Sequence, residues 1–135
     1  MQPVHLSAED AKQKIQDMDL SAVERRLVNV EGCSPEDARE ATDCYRRLLT
    51  LQAMYPDHAL VPPAPADRAL HAHILQTRRY AEDMQSIFGR FLHHEPDATS
   101  EERREFTRQV FLEHFGLGIE AFAICTIAIE QKRAA

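Results

Sequence analysis

Three prolines in five residues, Val61-Pro62-Pro63-Ala64-Pro65, divide this chain near its middle. No regular helix crosses such a run, because each proline lacks a backbone donor and pushes the residue before it out of helical geometry. Consecutive prolines favour an extended, polyproline-like backbone, so a stiff connector is expected here. On both sides of it apolar residues recur at three- and four-residue spacing, without strict alternation and with only four glycines in the chain. That pattern predicts an all-α fold, an irregular bundle of five to seven helices.

Ahead of the connector, Ser7 and Asp10 open a short helix to about Asp17. Asp19 or Ser21 caps a second, with Val23, Leu27 and Val28 on one face and Gly32 ending the segment. Ser34-Pro35-Glu36-Asp37 starts a third: a capping hydroxyl, proline at the first position, and acids at the positive end of the dipole. Ala41, Cys44, Tyr45, Leu48, Leu51 and Gln52 form its stripe as far as Met54, which makes Cys44 a small core residue. Tyr55-Pro56-Asp57 ends it.

After the connector, Asp67 caps or enters a helix whose stripe is Leu70, Ile74, Thr77, Ala81, Met84, Phe88 and Phe91. It runs to Leu92, with a break allowed at Gln76-Thr77 and a stop at Glu95-Pro96. Asp97 to Glu102 opens another, with Phe106, Val110, Phe111 and His114 facing inward and Gly116 as its C-terminal stop. The apolar segment 117–131, densest over Ile119–Ile129, reads as a buried last helix, and its isoleucine and threonine content leaves a strand open. It completes the core or docks a protein partner or a second copy of the chain.

At 135 residues the length suits one domain, 1–135, with a motif-bearing centre at 55–96. A net charge of −6, with arginines scattered among carboxylates, offers no basic face for nucleic acid. No apolar run is long enough to span a membrane. Cys33, Cys44 and Cys125, odd in number and widely spaced, suggest reduced thiols, and the first residues lack a signal-peptide pattern. A cytoplasmic protein is therefore expected.

Four of the seven histidines lie at His71, His73, His93 and His94. Imidazole is a common ligand for zinc and iron, so these residues are metal-site candidates. Asp67 joins them, since it shares a helical face with His71 four residues on. Geometry limits the idea: residues two apart on a helix point to different sides, and the twenty residues from His73 to His93 would span roughly 30 Å of straight helix. A hairpin at Gln76-Thr77 or a second subunit would be needed to bring the pairs together. Each histidine also has a plain reading: Asp67–His71 as a hydrogen-bonded pair at a helix start, His73 as a satisfied core residue, and His93-His94 as complements to a helix C-terminus. No nucleophile motif, phosphate loop, His-Glu-x-x-His or Glu-x-x-His pattern is present.

Tyr55-Pro56, Val61-Pro62, Asp67, His71-Ala72-His73-Ile74-Leu75, Tyr80-Ala81-Glu82-Asp83 and Phe88-Gly89-Arg90-Phe91-Leu92-His93-His94 follow one another at fixed offsets. This set resembles the short bacterial members of the glycine-rich-domain-containing-protein-like family, which also occurs in plants as multidomain proteins. The resemblance runs from Tyr55 to His94 and implies a shared site at Asp67, His71, His73, Tyr80, Asp83, His93 and His94. It also implies a helix break near Gln76-Thr77. The chain departs at Leu70, Gln76, Met84 and Glu95, where the family pattern has Trp, Asp, Cys and Phe. The glycine-rich part is missing, and the resemblance carries no defined activity.

Two functional expectations follow. One is a small cytosolic metal-binding protein holding zinc or non-haem iron, with an accessory enzyme of a bacterial biosynthetic pathway as one form of it. The other is a non-catalytic binding or scaffold subunit that docks a partner enzyme, or self-associates, through Ile119–Ile129.

Overall fold

In the computed structural model of the chain, residues 8–96 and 99–131 are described. Among them are six helices and one two-stranded sheet. The helices are α1 (Ala8–Asp17), α2 (Ser21–Asn29), α3 (Pro35–Met54), α4 (Ala64–Leu75), α5 (Thr77–Phe88) and α6 (Glu101–Phe115); the strands are β1 (Leu92–Pro96) and β2 (Cys125–Ile129).

α3 is the axis of the bundle. Ser34 Oγ accepts the Asp37 N–H at its start, with Pro35 at the first position, as the sequence predicts. Its stripe of Ala41, Cys44, Tyr45, Leu48, Leu51 and Gln52 is buried, and each large apolar side chain on it contributes about 1.5–3 kcal/mol through burial. α1 and α2 lie against one part of it and α4 against another. The α4 face is built of small residues, Ala66, Ala69 and Ala72, beside Leu70 and His73. Arg46 closes the end of α1 by donating to the Ile15 and Met18 carbonyls, a cation at the negative end of a helix dipole.

The proline run is extended only from Leu60 to Pro63. There it pairs with the C-terminal segment: Leu60 bridges Ile127 and Pro63 bridges Phe122. Ala64 and Pro65 already belong to α4, where missing amide protons cost nothing because the first-turn donors have no partner in any case. Asp67 therefore lies at the end of the first turn and does not cap it; Pro63 is the cap position. The Val61 N–H donates to Thr107 Oγ1 at 3.0 Å, tying the connector to α6.

Several expectations are corrected. The helix does not continue to Leu92: it breaks at Gln76, resumes as α5 and ends at Phe88, where Gly89 takes a left-handed φ of 68°. The break re-phases the stripe, so Tyr80, Met84 and Ile87 are buried while Thr77 and Ala81 are exposed. His93 and His94 thus lie on a strand, not at a helix C-terminus. The C-terminal segment supplies β2, the strand alternative, and not a last helix. β-Branched residues suit a pleated, half-buried surface, and β2 finds partners on both edges, β1 on one side and Leu60 on the other. On α6, Ser100 and Gly116 are the cap and the stop, but His114 is exposed, with its Nε2 2.7 Å from the Tyr55 hydroxyl. Ser7, Asp97 and Ala98, also read as helix-start residues, lie outside the described residues. No helix among the described residues is long and apolar enough to cross a membrane.

Candidate metal centre

Asp67 and His71 sit one helical turn apart on α4, so Asp67 Oδ1 lies 3.3 Å from His71 Nε2. The third member arrives through the break at Gln76. With α5 turned away from α4, the chain returns as β1 and carries His94 back to α4, where its Nε2 is 3.2 Å from His71 Nε2. The two rings meet edge to face, their centroids 4.8 Å apart. One donor atom from each of Asp67, His71 and His94 falls within 4.8 Å of the others.

Strand alternation selects His94 over its neighbour. β1 and β2 are antiparallel, with Leu92 opposite Ile129, His94 opposite Ile127 and Pro96 opposite Cys125. Side chains two apart share a side, so Leu92, His94 and Pro96 leave the sheet together, with Ile129, Ile127 and Cys125. His93 leaves on the other side, where its Nε2 is 3.6 Å from Glu130 Oε1 and its ring meets Phe91.

The donor set suits a cation. Two imidazole nitrogens facing each other at 3.2 Å share either one proton or one positive ion between them. Desolvation, and then the proximity of His71, lowers the His94 pKa against the opposing pull of Asp67, so His94 presents a neutral ring with a free lone pair at neutral pH. The two shortest separations match adjacent donors on a tetrahedral zinc, about 3.3 Å apart for bonds of about 2.0–2.1 Å. Two histidines and one carboxylate also form the donor set of non-haem iron centres.

His73 belongs to a different cluster. Its side chain is 0% exposed, with Nδ1 2.8 Å from the Tyr45 hydroxyl and Nε2 2.8 Å from Asp83 Oδ2. The Asp83 carboxylate can only accept, so Nε2 carries the proton and donates to it; Nδ1 then accepts from Tyr45 O–H. Burial lowers the His73 pKa although Asp83 works against it, and burial raises the Tyr45 pKa well above its usual range. Tyr80 packs edge-on against His73 and donates to the Leu92 carbonyl at 2.7 Å. These four residues hold α3, α4, α5 and β1 together, and His73 points into the core while His71 points out.

Of the residues singled out from sequence, the fold therefore gathers Asp67, His71 and His94 in one place. It puts His73, Tyr80 and Asp83 in another and leaves His93 apart from both. Two participants had no sequence signal. Tyr45 looked like one more stripe residue, and Cys125, whose Sγ donates to Asp67 Oδ1 at 3.2 Å, lay inside the apolar tail. Desolvation, then the adjacent carboxylate, pushes the Cys125 thiol pKa up. No protein-family model, curated protein or solved structure matches the chain.

Proposed function

We propose that this chain is a small cytosolic metal-binding protein that holds zinc or non-haem iron through Asp67, His71 and His94. The observation that carries this reading is the convergence of these three donors from α4 and β1 within 4.8 Å. Neutral imidazoles and a carboxylate bind divalent ions of this kind, and a coordination position left open would let the ion activate water or oxygen, as an accessory enzyme of a bacterial biosynthetic pathway would need. All three residues lie in the motif that resembles the glycine-rich-domain-containing-protein-like family, and none of the four departures replaces one of them. We take the cluster to be a feature shared with that family.

Metal analysis of tag-free protein tests the reading. After incubation with zinc or ferrous iron and gel filtration, about one equivalent should remain on the wild type, and His71→Ala and His94→Ala should lose it. Protein that stays metal-free, with a melting temperature indifferent to either ion, rules the reading out.

The scaffold alternative rests on Ile124, which is 72% exposed in the loop before β2. The strand beside it spends Cys125, Thr126, Ile127 and Ile129 on the chain's own core. A docking role for Ile119–Ile129 would therefore fall to Ile124 and its loop. Ile124→Asp should abolish self-association or partner capture if that role exists, and a wild type that is monomeric and captures nothing removes it.

A further inference from the structure

A cleft of about 660 Å3 lies where α1, the end of α3, α5 and the end of β2 meet, and it shares no residue with the Asp67 centre. Its volume falls within the range of about 300–1,000 Å3 usual for small-molecule sites. Ala8, Ala11 and Lys14 recur every three residues on α1, so one helical face brings two methyl groups and an ammonium to the cleft. Ala53, Ile87, Phe88 and Ile129 complete an apolar floor, with Ile87 and Ile129 buried.

Two cations line the cleft beside this floor. Lys14 Nζ donates to the Ser86 carbonyl at 2.9 Å, and Arg90 Nη1 donates to the Glu130 carbonyl at 3.3 Å. Each contact fixes a side chain yet uses only one of three ammonium donors or one of five guanidinium donors. Neither cation forms an ion pair among the described residues. Asp57 is the one carboxylate in the lining, and the Glu130 carboxylate lies 3.6 Å from His93 instead. The carbonyls at the end of α5 would oppose an anion, but Lys14 Nζ and Gln85 Nε2 donate to two of them, those of Ser86 and Gly89. Two cations against one carboxylate leave the cleft positive in a chain whose net charge is −6.

We propose that this cleft binds a small monocarboxylate with an apolar body, which lies on Ile87, Phe88 and Ile129 while Lys14 and Arg90 take its carboxylate. Both halves of the ligand are required. A neutral apolar molecule would desolvate the ammonium and guanidinium with no anion to meet them, and an inorganic anion would leave the floor in water. The inference is independent of the metal reading.

Equilibrium dialysis of the full chain in chelator against radiolabelled octanoate, octanol and octylamine is the test. Octanoate should bind at about one equivalent, and octanol and octylamine at least about 10-fold more weakly, as expected when a hydrogen bond to a charged group is lost. Lys14→Gln and Arg90→Gln should each weaken octanoate by about 10-fold and leave octanol unchanged. Ala8→Trp, at an exposed position of the lining, should fill the cleft and abolish binding. His94→Ala should bind octanoate as the wild type does, which keeps the outcome separate from that of the metal centre. No octanoate bound at millimolar concentration overturns the proposal, as does octanol binding as tightly as octanoate. Octanoate binding that survives Ala8→Trp, or that is unaffected by both charge variants, also overturns it. The three ligands on the wild type decide the matter even if a variant fails to fold.

Discussion

Replacing His73 with alanine should weaken the fold severely and leave the metal donors in place. The ring is fully buried, so its removal opens a cavity in the seam between α3 and α4, worth about 2–3 kcal/mol by analogy with large-to-small core changes. It also strands the Tyr45 hydroxyl, itself fully buried, which lies 2.8 Å from His73 Nδ1; an unsatisfied buried donor adds about 1–3 kcal/mol. The sum is about 3–6 kcal/mol, set against a typical domain stability of about 5–15 kcal/mol, and corresponds to a melting temperature lower by about 10–20 °C. Urea unfolding followed by circular dichroism, with chelator present to remove any metal linkage, measures it. A double-mutant cycle isolates the cause. Tyr45→Phe alone should cost about 1 kcal/mol, but adding it to His73→Ala should restore about 1–2 kcal/mol by deleting the stranded hydroxyl. Costs that add to within about 0.5 kcal/mol would show that the hydroxyl and the imidazole are not coupled, and would refute the network as described.

The half-exposed His71 should behave in the opposite way. His71→Ala should change stability by no more than about 0.5 kcal/mol in chelator yet abolish metal binding, and a large loss of stability would contradict its surface placement. Stability should fall on acidification: His73 and His94 both have lowered pKa values in the folded chain, so below about pH 6.5 the unfolded chain takes up protons that the folded one does not. The contribution is therefore complete above about pH 6.5 and is lost as the pH falls below it; urea midpoints at pH 8 and pH 5 that coincide would count against this. Tyr80→Phe should cost about 1–2 kcal/mol in urea unfolding, because it leaves the buried Leu92 carbonyl without the donor now 2.7 Å away. Zinc at a hundred times its dissociation constant should stabilise the wild type by about 2.7 kcal/mol, reversed by chelator and absent in His94→Ala.

Much of the helical half was legible before the fold was known, for local reasons. Ser34-Pro35 and Gly116 mark helix ends through groups within one turn of themselves, and each marks an end in the structure. Strand β1 was not legible and β2 only as an alternative to a helix, because neither has a clear pattern of its own. Leu92-His93-His94-Glu95-Pro96 is mostly polar, and it becomes a strand only by pairing with residues some thirty positions later. Cys125–Ile129 is apolar almost throughout, and periodicity alone does not distinguish a buried strand from a buried helix. The candidate site divides the same way. Asp67 and His71 could be paired from their spacing, whereas the choice of His94 over His93 depends on strand register and the separation of His73 from His71 on which face of α4 meets α3.

Spacing and capping chemistry along the chain thus determined most of the helical segments and one carboxylate–imidazole pair, because each depends on atoms within a helical turn. The tertiary structure decided which histidine completes that pair, which one is sealed into the core, and that a cysteine from the far end of the chain lies beside them. Those outcomes rest on the turn at Gln76 and on one antiparallel register, where a slip of a single residue would exchange His94 for His93.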